Sequence, residues 1–542
     1  MRRVLVLVLV AGCGAQLGGG GMTGDDADDP ALSALGKHVV AALRDKHAAT
    51  RGHAWQVAHD GALGEGWLLQ TPLAEYWGQP ATALPVATAC TGDPACDPDF
   101  GLVRCTTQAD CRFGGRCSEV AATVARRSDP PRRLCTGHSD AFYDDIYRVI
   151  AGAQQLVDIA SLEAPDGRFE AAVRNALTFL ATSGRNVRVR VLYGAVPLRM
   201  RETTEVLATL VRDIPPGAPI TVGVGAYRDT VVSWNHTKLI AADGQVAIAG
   251  GHNMWTQHYL QQAPVHDISL RLTGSAAADA SRFVDELWQY VCFPGPNLGA
   301  VASASDFPGT THECDDPFAH LADATIAAGA GTTPVITVGK LGAPPEGTLD
   351  EGEDAILALL DAAQTQLRLS LQDIGPVGDG AEWPAPYLRA LVAALARGVD
   401  VELVLSNMNA FPGGLMAGSA SYSNGWTPLD VAHQLVAFAD AHPETAGGAD
   451  IRAAVCARLH ATTLRQGPED VWPDGTGMAN HAKLVIADDA AFYLGSQNWY
   501  PAQLSELGFI VDDAGATRQL LDGYYTPLWT ASVRVAVDTC GM

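Results

Sequence analysis

Lysine is nearly absent from this chain: there are five among 542 residues. Basic side chains are outnumbered throughout, with 36 Lys and Arg against 60 Asp and Glu, a net charge of −24. Such a chain is a poor general binder of nucleic acid, because the phosphate backbone is captured by Lys and Arg. The same acidity also serves plain solubility. The Cys-x-x-Cys pairs of zinc sites are missing, which argues against a structural zinc. No apolar run approaches the roughly 20 residues of a membrane span.

What is present begins at the N-terminus. Met1-Arg2-Arg3 precedes the short apolar run Val4 to Val10 and then Ala11-Gly12-Cys13. A basic start, a short apolar stretch and small residues make an export signal rather than a span. Residues 1–12 are expected to be that signal. Cys13 stands where a bacterial lipoprotein carries its lipidated cysteine, and an ordinary signal peptide cut nearby fits the same residues. Residues 13–30, rich in Gly and Asp, read as a flexible tether. The expectation is an exported, lipid-anchored envelope protein, or otherwise a secreted one.

Ten further cysteines, an even number in an exported chain, imply disulfides. Cys90, Cys96, Cys105, Cys111, Cys117 and Cys135 cluster within about 90–135, and six cysteines allow fifteen pairings that sequence cannot rank. Cys292 with Cys314, and Cys456 with Cys540, are candidate further pairs. Asp93, Asp97 and Asp99 lack the full loop pattern of a calcium site.

Hydrophobic residues reach 47%, ample for a large core. The chain repeats itself. A helix over Ala141–Ala153, a strand over Gln155–Ser161, a helix over about Phe169–Thr182 and a strand over Asn186–Leu192 form one unit. A helix over Glu351–Ala363, a strand over Gln366–Leu371, a helix over Pro386–Arg397 and a strand over Val399–Leu405 repeat it. Gly184 and Gly398 stand where the helices should stop. The expected fold is α/β: a bilobal, pseudo-symmetric α-β-α sandwich from two halves, 31–330 and 331–542, with the active site at their interface.

Two of the five lysines sit in a duplicated motif. His236-x-Lys238 is followed after four residues by Asp243, and His481-x-Lys483 by Asp488. Each copy leads to a strand-like run that ends near Asn253 or Asn498. Asp243-Gly244 reads as a two-residue hairpin turn. That pairing sets His236 opposite Gly251 and Lys238 opposite Ala249, and in the second copy His481 opposite Ser496 and Lys483 opposite Leu494. His and Lys then share one strand face, and the Gly or Ser opposite leaves room for a ligand. Asp243 and Asp488 fall at the turns and take a structural role.

Two such sets, face to face, collect two imidazoles, two ammoniums and two amides around a tetrahedral phosphorus. Lys and Asn donate to nonbridging oxygens whose charge grows in the transition state. One His attacks while the other protonates the departing alcohol. No metal and no cofactor is needed. Each His requires an orienting acid, and the carboxylates that follow the two motifs are Asp267 and Glu506, respectively. Trp255, Tyr259 and Tyr422 are candidate aromatic faces for a cationic group on the ligand.

The duplicated motif resembles the phospholipase D superfamily, and most of all its secreted bacterial group. The similarity is carried by Gly66–Pro72, Trp234–Leu260, Pro264–Ala276 and Asn480–Val511, within roughly 32–529. The cysteine-rich segment looks like an insertion on that background. The resemblance implies a phosphohistidine intermediate, no metal, His236 as nucleophile and His481 as acid and then base. It implies Lys238, Lys483, Asn253 and Asn498 on the phosphate, and a phospholipid such as phosphatidylcholine as substrate, with transfer to alcohols. The implied partner is a phospholipid membrane surface, met by a monomer, with no nucleic acid. Glu506 departs from the Asp of close relatives, and His252, Met254 and Ala482 also differ. A nuclease of the same superfamily and a non-enzymatic anchored binding protein are the competing readings.

Overall fold

The computed structural model describes residues 29–196, 201–230, 233–292, 300–304, 311–312, 329–342, 350–377, 382–410 and 422–541. The expected signal, Cys13 and nearly all of the tether lie outside these residues, as does Cys314. Cys292 is itself disulfide-bonded.

The duplicated unit folds as helix Ala141–Gly152, strand Leu156–Ser161, helix Gly167–Thr182 and strand Val187–Gly194. Its counterpart is helix Glu351–Ala362, strand Gln366–Leu371, helix Ala385–Arg397 and strand Asp400–Leu405. Helix Gly167–Thr182 buries Phe169, Val173, Ala176, Leu177 and Leu180, the spacing of one helical face. Gly184 and Gly398 take positive φ of 78° and 89°, which a residue with a Cβ adopts poorly, and the helices end there. Strand Leu156–Ser161 is buried along its whole length, because helices cover one face and the other half covers the second.

Two mixed sheets result. The first runs, strand by strand, from the short edge strand Thr311–His312 through Ala300–Ala304, Ile220–Thr230, Val187–Gly194, Leu156–Ser161, Leu239–Ala242, Val246–Gly250 and Asp267–Thr273 to Leu68–Thr71. The second runs from Trp55–Gly61 through Thr333–Leu341, Ser505–Val511, Ala491–Gly495, Lys483–Ala487, Gln366–Leu371 and Asp400–Leu405 to Leu459–Thr463. Alternate residues of each strand face opposite ways. Val157 and Ile159 pack under the first half's helices. Leu367 and Leu369 pack under the second half's helices. Ala160, Leu239, Ala241, Leu484, Ile486 and Phe509 meet in the core between the sheets.

The boundary expected between the halves needs one correction. Helix Ala34–His47 and strand Trp55–Gly61 belong to the second sheet, where the strand pairs antiparallel with Thr333–Leu341. The chain's opening elements therefore clamp the far half, and the two halves are not separable segments of sequence.

Cys90–Cys96, Cys105–Cys117 and Cys111–Cys135 staple the insertion around the small hairpin Arg116–Val120 and Arg132–Thr136. Cys456 bonds Cys540. Asp97 takes the backbone N–H groups of Asp99 and Phe100 and pairs with Arg132, while Asp99 pairs with Arg132 and Arg174. These carboxylates serve internal ion pairs. The disulfides are the chemistry of an oxidising compartment, as in an exported protein. No described helix is long and apolar enough to cross a membrane.

Candidate active site

Both hairpins differ from the expected register by one residue. Ala242 pairs with Val246 and Ala249 with Leu239; Ala487 pairs with Ala491 and Leu494 with Leu484. Each loop thus holds three residues, and its first two take the left-handed conformation: Asp243 and Gly244 at φ 55° and 60°, Asp488 and Asp489 at 50° and 53°. Asp tolerates that region because its short side chain hydrogen-bonds locally. Asp243 accepts from the backbone N–H groups of Gln154, Gln155 and Leu156. Asp488 does the same for Gln364, Thr365 and Gln366. Each motif Asp ties its hairpin to the start of the neighbouring strand, away from the histidines.

The shift in register also changes what Gly251 and Ser496 do. A Cβ on Gly251 would lie 1.9 Å from the Asp267 Oδ1 and 2.8 Å from the His481 carbonyl oxygen. Glycine there makes room for the acid and for the opposite half, not for a ligand. Ser496 donates to Glu506 Oε2 at 2.5 Å and accepts from the Leu507 N–H, so it positions an acid. Gly251→Ala is expected to displace Asp267 or His481 by about an ångström and to lower kcat roughly 10²-fold, as measured by steady-state turnover of a phosphodiester substrate.

The orienting acids are exchanged between the halves. His236 Nδ1 meets Glu506 Oε2 at 2.8 Å, and His481 Nδ1 meets Asp267 Oδ2 at 2.6 Å. Sequence order pairs each His with the acid that follows its own motif; the structure pairs it with the other. The backbone explains the exchange. The His236 N–H donates to the Ser505 carbonyl at 2.9 Å, and the His481 N–H to the His266 carbonyl at 2.7 Å. Asn235 bridges Ser505, and Asn480 bridges His266, each in parallel sense. Each motif therefore enters alongside the strand that opens the other half's acid.

The asparagines at the motif entries were not singled out from sequence, although both copies read Asn-His-x-Lys. Asn235 donates to the Ser161 carbonyl and accepts from the Thr237 N–H. Asn480 donates to the Val404 carbonyl and accepts from the Ala482 N–H. They lock the approach to each His.

His236, Lys238, His481 and Lys483 are all buried. The Lys238 ammonium donates to the His236 carbonyl at 2.7 Å, and Lys483 makes the equivalent bond to His481. Burial holds His236 down at about 4, against the raising influence of Glu506. Burial and then the Lys483 and Lys238 ammoniums hold His481 well below the ordinary histidine value. Burial raises the Asp267 carboxyl to about 7, with Lys483 pulling the other way. Both imidazoles rest neutral, with Nδ1 facing an acid and Nε2 left for chemistry.

Burial lowers Lys238 to about 7 and Lys483 to about 8. A lysine with a depressed folded value is charged below that value and loses its proton as pH rises through it. If the ammoniums bind phosphate, kcat/KM is expected to fall as pH climbs through about 7 to 8. A pH profile that stays flat well beyond that range would overturn the assignment.

Both side-chain amide atoms of Asn253, which is fully buried, lack a hydrogen-bond partner among the described residues. Asn498 Nδ2 donates to the Tyr500 hydroxyl at 2.6 Å, while its Oδ1 has no partner among the described residues. The two asparagines are thus unequal, and Tyr500 is a site neighbour that sequence did not suggest.

The aromatic candidates divide. Tyr259 donates to Asp267 at 2.9 Å and accepts from the Asn253 N–H at 3.2 Å, which makes it a support for the acid. The Tyr422 ring sits edge-on to His481 at 4.9 Å, and its hydroxyl meets His258 Nδ1 at 2.5 Å. Trp255 lines a cavity of about 150 Å³ with Glu163, Asp166, Tyr193 and Arg201. Its indole N–H has no hydrogen-bond partner among the described residues. His252, one of the departures, is buried between Ser269 and Thr71 hydroxyls.

A family model described as "Cardiolipin synthase, PLD-like domain" matches residues 356–526. The chain is 28% identical over 593 residues to a phospholipase D of Streptomyces antibioticus, across 99% of this chain and 93% of that protein. The fold is similar to that of a phosphatidylserine synthase from Haemophilus influenzae, with a TM-score of 0.50 at 14% identity over 74% of this chain and 86% of that one. With its duplicated His-x-Lys motifs and two-sheet α/β fold, the chain matches a phospholipase D-like domain over residues 356–526 and is similar along nearly its whole length to a phospholipase D.

Proposed function

We propose that the protein is a phospholipase D: it cleaves the distal phosphodiester bond of glycerophospholipids such as phosphatidylcholine, releasing the headgroup alcohol and leaving phosphatidic acid. The observation that carries this reading is the crossed pair of His–acid dyads, with two buried ammoniums and the unpartnered amide of Asn253 beside them. In the first step, Nε2 of His236 forms a bond to phosphorus. The bond from phosphorus to the headgroup oxygen breaks, and that oxygen takes a proton from His481. In the second step, His481 removes a proton from water, whose oxygen displaces Nε2. An alcohol in place of water gives a new phospholipid. The diester's negative charge offsets the two ammoniums and favours the charged form of His481 needed for the first step.

A cationic headgroup is favoured by the cavity that Trp255 lines together with Glu163 and Asp166, where two carboxylates outnumber the one guanidinium of Arg201. The chain is exported and held at the bacterial envelope through lipidated Cys13 in the same reading, which labelling with a radioactive fatty acid would test. Product analysis by mass spectrometry on mixed phospholipids, with and without ethanol, tests the activity. Phosphatidic acid alone, and phosphatidylethanol when ethanol is added, is the expected result. Cleavage of DNA with no lipid turnover would replace this reading by the nuclease one.

A further inference from the structure

Large apolar side chains left in solvent are informative when they gather in one place. Among the described residues the most exposed are Phe113, Val377, Met408, Val471 and Val533. Three of these five stand on the loops that leave the C-terminal ends of three consecutive parallel strands. Val377 follows Gln366–Leu371, Met408 follows Asp400–Leu405 and Val471 follows Leu459–Thr463. That end of the sheet is where the second motif enters.

The loops are tied to the site on both flanks of His481. On one flank, the Ser406 hydroxyl donates to the Asn480 carbonyl and accepts from the Asn480 N–H. Asn407 donates to the Asp470 carbonyl, and Ala410 and Val471 both bridge Gly477, which brings the Met408 and Val471 segments together. On the other flank, Tyr422 touches His481, and the Asn424 N–H donates to Asp373. The Trp426 indole donates to the Pro376 carbonyl beside Val377, and its ring packs on Trp383, both half-buried. A half-buried tryptophan pair and exposed aliphatic tips around a catalytic histidine are the pattern of a surface that enters the boundary between lipid headgroups and chains.

Charge selects the kind of lipid. The described rim segments 372–377, 406–410, 422–426 and 464–478 contain one basic residue, Arg465, which pairs with Asp470 and donates to the Pro468 carbonyl within its own loop. Exposed Asp470 and Asp474 stand among them, and exposed Glu382 adjoins Trp383. Within a chain of net charge −24, the one cation of this rim is already paired with an acid, so the rim offers little to hold an anionic surface.

We infer that the rim formed by Val377, Met408 and Val471 is the seat on which the protein docks to a zwitterionic phospholipid surface, so that a phosphodiester enters the site directly from the bilayer. This inference rests on the phospholipase reading for its substrate, but not for its test. Burial of the three side chains supplies the attraction, and the acidic rim makes it weaken as anionic lipid is added.

The test is co-sedimentation of the full chain with phosphatidylcholine vesicles, beside turnover of a short-chain phosphatidylcholine kept below its micelle concentration. The triple variant Val377→Ser, Met408→Ser, Val471→Ser is expected to bind vesicles at least 10-fold more weakly, with unchanged turnover of the monomeric lipid. The unaltered protein should bind less well as phosphatidylserine replaces phosphatidylcholine. Equal vesicle binding by the triple variant and the unaltered protein would overturn the inference, as would tighter binding to the anionic vesicles. If neither protein turns over any lipid, the phospholipase reading fails while vesicle binding still decides the docking surface.

Discussion

His236→Asn is expected to lower turnover of phosphatidylcholine by about 10⁵-fold, the scale seen when a covalent nucleophile is removed. His481→Asn should be nearly as damaging on that substrate, because the headgroup alkoxide cannot leave unprotonated. A lipid whose headgroup is p-nitrophenol separates the two roles. Its leaving group needs no proton, so the first step no longer depends on the acid. His481→Asn is then expected to release a single burst of p-nitrophenol, matched to the protein present, and to stall with phosphorus bound to His236. His236→Asn should give no burst. A burst from His236→Asn and none from His481→Asn would reverse the assignment of nucleophile and acid. No burst from either would end the covalent route. The sequence leaves this choice open because the motifs are nearly equivalent, and the burst experiment does not depend on resemblance to relatives.

Local features of the chain were legible from sequence because local physics sets them. The helix and strand pairs of both units lie within a residue or two of where periodicity places them, and Gly184 and Gly398 end their helices as a missing Cβ allows. The motif aspartates sit at the turns, as the hairpin reading required. The register slipped by one because Asp-Gly reads as a two-residue turn, whereas Gln245 and Ala490 complete three-residue loops. Nothing near the turn announces that extra residue. The slip mattered, since it turned Gly251 and Ser496 from ligand space into supports for the acids.

Long-range pairings were not legible. The His236–Glu506 and His481–Asp267 contacts span 270 and 214 residues. Offsets along the chain favour the nearer acid, yet the fold brings the farther one. A signal for the crossing exists only once the sheets face each other: Asn235 and Asn480 lie beside Ser505 and His266, directly before the two acids. The first helix and strand joining the second sheet belongs to the same class of information.

The crossing makes a second prediction with a large effect. A carboxylate only accepts, so Glu506 fixes the proton of His236 on Nδ1 and leaves the Nε2 lone pair to attack. Glu506→Gln can donate to Nδ1 instead, which sends the proton to Nε2 and blocks the nucleophile. A fall of about 10³ to 10⁴-fold is expected, as when a triad acid is made an amide. With the p-nitrophenyl lipid, Glu506→Gln should slow the burst itself, because it disables His236. Asp267→Asn should leave the burst fast and slow the turnover that follows, because it disables His481 as base for water. Combining Glu506→Gln with His236→Asn should cost no more than His236→Asn alone, since both remove one function. Acids serving the His of their own half would produce the opposite pattern: a slow burst in Asp267→Asn and slow later turnover in Glu506→Gln. The two outcomes share no common result, so one pair of amide substitutions decides whether catalysis is carried by each half alone or only by the two halves interlocked.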